Sequence, residues 1–556
     1  MQIPSLRTAW RGALLISLAC SPALAQNGPG MAVQWRSTGG GFTALPFAPW
    51  SGYSFPNGVW VHGDFNGDGR ADALHVVQGA DYVHTWMSNV AGSFDVGSFR
   101  PWAGYGMPNG RWMVGDLNGD GRADLVHLVQ GTDYAHTWLS NGNGSFRVGT
   151  FRPWAGYGIP NGEWLMGDIN ADGRADLVHV VNGADYVHTW TSNGAGGFAV
   201  GTFRPWAGYG MPNGRWMIGD LNADGRADLV HAVNGADYVH SWMSNGNGTF
   251  AVSSFRPWAG YGIPNGEWML GDIDGDRRAD IVHAVAGSNY VHTWRSLGNG
   301  SYNVGSFAAW AGYGIPNGRW LMADVNGDRR ADLVHLVHNA DYLHVWQSNG
   351  NGSFAIGTAR PWGGYPMGAT ASGTWLAADF NADGRADLLH VFAISPQRNL
   401  RVSRHNVATL TEADAERILT DMTVVALRND NPTDRTCLVR YVRNGGVGNF
   451  AAPNAAGNVN TQADFNAVIG IGAEVKVVNQ INWCATVGTG IIGCAPVPGG
   501  SMAVVRFTAA REGTLWLHEH AHNRGRNHRN DVSAVMNPFI TATALGLDQA
   551  ECNALR

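Results

Sequence analysis

Between about Gln34 and Ala393, short apolar or aromatic runs alternate with clusters of Asn, Asp and Gly, and the alternation recurs along the chain. Asp64, Asp116, Asp168, Asp220, Asp272 and Asp324 each follow the last by 52 residues, and Asp379 follows Asp324 by 55. A period of this size marks stacked supersecondary units. One unit has its apolar runs at 112–114, 123–129, 134–139 and 146–151. Runs this short between turn-forming residues read as strands, and four strands per unit with no helical period predict a propeller blade. The last unit keeps two runs, 374–378 and 386–392, and then loses the pattern; 33–37 and 42–50 match the missing third and fourth. The expected fold is an all-β propeller of seven four-stranded blades over 33–405, its last blade closed by N-terminal strands. Residues 399–404 read as a surplus strand or as a substitute for the N-terminal one.

Past about Asn406 the repeat ends. Thr411 followed by Glu412, Ala413 and Asp414 suits a helix start, and Ile418, Leu419 and Met422 continue the helical spacing. Strand-like runs follow at 436–442, 474–481 and 502–507, and a second helix is expected from near Gly513. Residues 406–556 therefore form a small α+β domain, long enough for a core of its own.

That second helix carries the most specific motif, H-E-x-x-H-x-x-G-x-x-H, filled by His518, Glu519, His522, Gly525 and His528. His518 and His522 stand one turn apart on one face, so two imidazoles reach one metal. Glu519 is rotated by about 100° and lies near the metal without ligating it. Gly525 permits a left-handed turn that returns His528 to the same ion. Three neutral nitrogens leave a tetrahedral position open, the mark of a catalytic zinc site. His520 points away from that face and is expected to be solvated or in an outer shell.

The motif, with Met536 inside Ala534-Val535-Met536-Asn537-Pro538, resembles the metzincin zinc endopeptidases, and the methionine turn is similar to that of the matrixin branch. The resemblance implies one catalytic Zn2+ on His518, His522 and His528, with Glu519 as general base. It implies Met536 as the floor of the site and Pro538 at the wall of the pocket beyond the scissile bond. The activity implied is hydrolysis of a protein or peptide substrate by zinc-activated water.

Between the first and second strand of each blade lies an oxygen-rich loop such as DFNGDGRAD, with acidic or amide residues at positions 1, 3, 5 and 9. That spacing wraps oxygens around a hard cation, and the glycine at position 6 allows the bend. The residues are Asp64, Asn66, Asp68 and Asp72; Asp116, Asn118, Asp120 and Asp124; Asp168, Asn170, Asp172 and Asp176; Asp220, Asn222, Asp224 and Asp228; and Asp379, Asn381, Asp383 and Asp387. The loops resemble the FG-GAP/VCBS calcium loops of integrin-type propellers, which implies several structural Ca2+ ions. In the fifth and sixth loops Arg277 and Arg329 replace the glycine, so calcium is an open question there.

The PWAGYG segments with Trp102, Tyr105, Trp154, Tyr157, Trp206 and Tyr209, together with His84, Trp86 and their equivalents, fill space between blades or line repeated sugar pockets. The repeats also resemble seven-bladed lectins, which implies a glycan or glycoprotein partner.

Residues 1–25 read as a secretory signal, with Arg7 and Arg11, a short apolar run and Ala23-Leu24-Ala25. Lipoprotein anchoring through Cys20 is the lesser alternative, because Ser17 stands where a lipobox has leucine. Export leaves Cys437, Cys484, Cys494 and Cys552, an even set suited to two disulfides. Cys484 with Cys494 and Cys437 with Cys552 is the favoured pairing. The net charge of −6 and the lack of a basic patch exclude nucleic acid as a partner, and no run is long enough to span a membrane. The expected protein is a secreted, monomeric zinc endopeptidase targeted by a calcium-binding propeller; the alternative is a lectin-like adhesin with an inactive metzincin domain.

Overall fold

A 52-residue unit of four short strands buries its two faces only against other copies, and the copies are stacked accordingly. The computed structural model describes residues 28–556 except 48–53, 56–57, 108, 160–161, 182, 211–213, 262–265, 286, 311–312, 314, 316–317, 339, 366–372, 395 and 432. The expected signal, Cys20 and Trp50 lie outside the described residues. Gly58–Gly63, Asp72–Val77, Val83–Ser88 and Phe94–Phe99 form the first antiparallel sheet, and five sheets of the same build follow, the last ending at Ala359. The seventh sheet joins Gly373–Ala378 and Asp387–Ala393 to Gly28–Ser37 and Phe42–Phe47, as the sequence predicts. Inner strands pack against one another in turn, and Gly373–Ala378 packs against Gly58–Gly63 to close the ring.

Each blade is filled by one aromatic stack. The first-strand tryptophan lies flat on the second-strand histidine, as Trp112 does on His127, with centroids 3.9 to 4.4 Å apart across the seven blades. The third-strand tryptophans Trp86, Trp138, Trp190, Trp242, Trp294 and Trp346 are fully buried. These aromatics pack the propeller. Neighbouring loops are also linked through their backbones: Ala123 N–H donates to the Asp64 carbonyl at 2.7 Å, and the same bond recurs from blade to blade, ending with Ala71 to Asp379 at 2.7 Å.

Among the described residues, the C-terminal region holds four helices, α1 (Glu412–Leu427), α2 (Gln462–Ile469), α3 (Ala509–Asn523) and α4 (Gln549–Leu555). Thr411 caps α1 reciprocally with Asp414, as its position suggests. The main sheet runs Gly448–Phe450, Val402–His405, Val475–Val478, Met502–Val505, Gly493–Cys494; only the last pairing is antiparallel. Val402–His405 thus lies inside this sheet, between Gly448–Phe450 and Val475–Val478, and Gln397–Leu400 pairs with Arg440–Arg443, so neither is a surplus blade strand. The boundary lies before Gln397 rather than at 405. Leu400 and Val402 alternate with polar neighbours just as a blade strand does, which hid the change of sheet. Helix α3 starts at Ala509, ahead of the expected Gly513, because Ala509, Ala510 and Arg511 are good helix formers and Glu512 is buried against Arg417 and Arg506. Cys437–Cys552 and Cys484–Cys494 are the two disulfides.

Candidate metal centre and repeated sites

Helix α3 crosses α1 closely enough that a Cβ on Gly513 would lie 2.6 Å from the Asp421 Cβ, so Gly513 sets the depth at which the helix sits. Its last turn is buried, and the chain leaves it through Gly525 at φ +80°, with Gly525 N–H donating to the His522 carbonyl at 2.8 Å. The turn brings His528 back as expected. His522 Nε2 lies 3.1 Å from His518 Nε2 and 3.2 Å from His528 Nε2. His518 Nδ1 stands 2.7 Å from the Val535 carbonyl and His522 Nδ1 2.7 Å from the Arg526 carbonyl. A carbonyl only accepts, so those Nδ1 atoms carry the protons and the Nε2 atoms present lone pairs. Lone pairs facing each other at 3.1 Å are no hydrogen bond. Nitrogens on one tetrahedral ion at ~2.0–2.1 Å would be about 3.3 Å apart, and the donor set fits that ion.

Burial brings His518 down to about 4 and also lowers His522 and His528, so all three stay neutral and ready to ligate. Burial pushes Glu519 up to about 8. A Cβ on Gly493 would fall 2.3 Å from Glu519 Oε1, so the glycine on the antiparallel edge strand makes room for this carboxylate. Met536 is fully buried in the core, and Arg529 N–H donates to its carbonyl at 2.8 Å. The preceding residue, Val535, supplies the carbonyl that orients His518, a link from the methionine turn to the histidines that motif spacing does not reveal. His520 is buried rather than solvated and meets the Tyr441 ring edge-on at 5.4 Å.

In the propeller loops, position 1 binds the loop's own backbone. Asp64 accepts from the amides of Gly67 at 2.6 Å and Gly69 at 2.9 Å. Asn66 Oδ1 accepts from the Asp68 amide at 2.9 Å, and Asp68 pairs with Arg70. Asp116, Asp168, Asp220 and Asp379, with Asn118, Asn170, Asn222 and Asn381 and with Asp120, Asp172, Asp224 and Asp383, repeat this arrangement. Position 9 binds backbone as well. Asp72 accepts from the amides of Phe65 at 3.0 Å and Ser88 at 2.7 Å, and so clasps the loop to the third strand. Asp124, Asp176 and Asp228 do the same, and Asp387 accepts from Ser37 N–H at 2.8 Å on the closing strand. Burial raises Asp72, Asp124, Asp176, Asp228 and Asp387 to about 7 despite those donors. Among the described residues, three carboxylates gather within 4.8 Å in the fifth loop, where Asp272, Asp274 and Asp276 meet. Arg277 and Arg329 take φ +72° and +69°, so those loops keep the bend without glycine.

The repeated aromatics divide. Tyr105 is buried and its hydroxyl lies 2.6 Å from His127 Nδ1, whereas Trp102 is 43% exposed, and Trp154, Trp206, Trp258 and Trp310 are similarly open.

A sequence model described as FG-GAP-like repeat matches residues 116–179, 168–231, 220–283 and 324–390. Comparison with curated proteins found no match. Among solved structures, an Agrocybe aegerita lectin described as specific for non-reducing terminal N-acetylglucosamine is similar at 19% identity and TM-score 0.48, covering 60% of this chain and 90% of that one. A Lactobacillus plantarum protein is similar at 12% identity and TM-score 0.39, covering 61% and 98%. The chain carries FG-GAP-like repeats, and they are built as a β-propeller.

Proposed function

We propose that the chain is a zinc-dependent endopeptidase whose propeller recognises the substrate or its surroundings. The convergence of three Nε2 atoms, those of buried His518 and His522 with Nδ1 fixed by carbonyls and that of exposed His528, carries this reading. The repeat match supports the propeller half and lends nothing to the hydrolytic half. Zinc on His518, His522 and His528 would supply a Lewis acid and an acidified water. Glu519 takes a proton from the attacking water at its carboxylate and returns it to the departing amine as the C–N bond breaks and the C–O bond forms. Its burial favours holding that proton, and a cation held by the three neutral histidines would favour releasing it. The edge strand Gly493–Cys494 can pair with an extended peptide and lay it past Glu519. Calcium in the loops is part of the same reading, as a brace between strands.

The test compares protein cleavage and bound zinc in the native chain and in Glu519→Ala. Cleavage by the native chain, with a variant that keeps zinc and does not cleave, supports the proposal. One zinc in each and cleavage by neither refutes it.

A second reading rests on the five half-exposed indoles: a glycan-binding propeller carrying an inactive metal domain. Glycan-array binding that survives chelation, with no proteolysis, would favour it.

A further inference from the structure

The six described PWAGYG-type segments make one kind of socket on successive blades. In each, a tryptophan and a tyrosine meet at 4.3 to 4.8 Å. In five of them the glycine two residues after the tryptophan donates its N–H to an aspartate, as Gly104 does to Asp81 at 3.3 Å and Gly364 to Asp341 at 2.8 Å. Five sockets are open. The sixth is filled by the chain itself: Trp362 is only 6% exposed and clusters with Leu427, Val424 and Leu438 from the C-terminal region. Asn429 N–H donates to the Gly363 carbonyl at 2.7 Å, and Gly363 N–H donates to Asp430 Oδ1 at 2.9 Å.

The sixth segment also differs in sequence. It reads PWGGYP, with Gly363 where the open sockets carry Ala103, Ala155, Ala207, Ala259 and Ala311. A Cβ at 363 would lie 2.0 Å from the Asn429 carbonyl oxygen and 2.5 Å from its carbon, far inside contact distance and against backbone that cannot swing aside. A Cβ at the next position, Gly364, would meet Thr436 Oγ1 at 2.1 Å, whereas at Gly104, Gly156, Gly208 and Gly260 it would meet nothing within 4 Å.

We propose that Gly363 is the address residue of the propeller: lacking a Cβ, it admits the 427–430 segment to the sixth socket. The alanine of the other sockets bars the same segment from five nearly identical surfaces. The device solves a problem that repetition creates. A domain that recognised the shared features alone, the indole face and the backbone after it, would have six equivalent seats among the described residues of its own propeller, and as many on each other copy. One missing methyl selects among them. It fixes where the histidine cluster stands on the ring and leaves five indoles for external ligands. The inference does not depend on the proposed hydrolytic activity.

The experiment is hydrogen exchange on the full chain, read at the amides of Gly363 and Asn429, with those of Met502–Val505 reporting the C-terminal core. Gly363→Ala is expected to speed exchange of both interface amides at least tenfold and to enlarge the scattering envelope, with the core amides still slow. Ala259→Gly is expected to change none of them. Unchanged protection of Asn429 in Gly363→Ala, or its loss in Ala259→Gly, would overturn the proposal. If Gly363→Ala also exposes the core, Asp430→Ala decides. It removes the acceptor of the Gly363 N–H and adds nothing to the socket, and must speed the two interface amides alone; no change there overturns the proposal as well.

Discussion

In the propeller, the position-nine aspartates do one job in copy after copy, each accepting backbone amides that hold a loop to its blade. In the C-terminal region, His518, His522 and His528 have no copies, and each depends on a different feature: a helix turn, a Val535 carbonyl, a left-handed Gly525. Repetition spreads a role until no one residue is indispensable, whereas convergence makes a few residues so. In the repeats, information therefore resides where one copy departs from the rest, and in the C-terminal region it resides where distant segments meet.

This contrast can be broken, and the largest expected effect lies on the convergent side. Glu519→Gln should lower kcat by roughly 10²–10⁴, the usual share of a general base, with zinc content unchanged. Steady-state proteolysis beside metal analysis checks it. A comparable loss from any single propeller substitution would overturn the division of roles.

On the repeated side the effects should fall on stability and depend on which tryptophan is cut. Trp190→Ala empties a fully buried site and should cost about 3–5 kcal/mol, while Trp206→Ala, at a half-exposed indole, should cost under about 1 kcal/mol. Denaturant unfolding of the two variants measures the gap. Asp228→Ala should fall between them at about 2–4 kcal/mol, because it strands two buried amide donors, those of Leu221 and Ser244.

The last effect is a drift with pH. Folding raises the position-nine carboxyls from the ordinary 3.8 to about 7, so between those values the folded chain holds protons that the unfolded chain has lost. Stability of the chelated protein should be fullest below pH 4 as far as these groups decide it, and should decline as pH rises through 7. Thermal melts in a chelator from pH 5 to 8 should show the decline. If the loops take calcium, the ion should restore most of the loss at pH 8.

Much of this was legible in the chain. The period gave blade number and closure because every blade must satisfy the same packing, and the histidine spacing maps directly onto helix geometry. Cysteine pairing was legible because Cys437, Cys484, Cys494 and Cys552 allow only three pairings, and Cys484 with Cys494 closes a short loop. Other features were not legible, for physical reasons. Asp72 and Asp64 are the same residue type in the same loop, and only the fold decides that one turns toward the third strand. Val402 alternates like a blade strand although its neighbours are Val475 and Ser403's partner Gly448 in another sheet. Gly363 was visible as a departure from the repeat, yet its meaning required seeing what approaches it.

The closing blade has a mechanical consequence. Gly28–Ser37 runs antiparallel to Asp387–Ala393, and their pairing begins with Gly30 opposite Ala393. The start of one strand and the exit toward the C-terminal region thus stand at the same end of a ladder. Tension between residues preceding Gly28 and the C-terminal region would draw that ladder open rung by rung from Gly30 to Trp35, as a zipper parts, instead of shearing all its bonds together. Along this one line of pull the closed ring has a fuse.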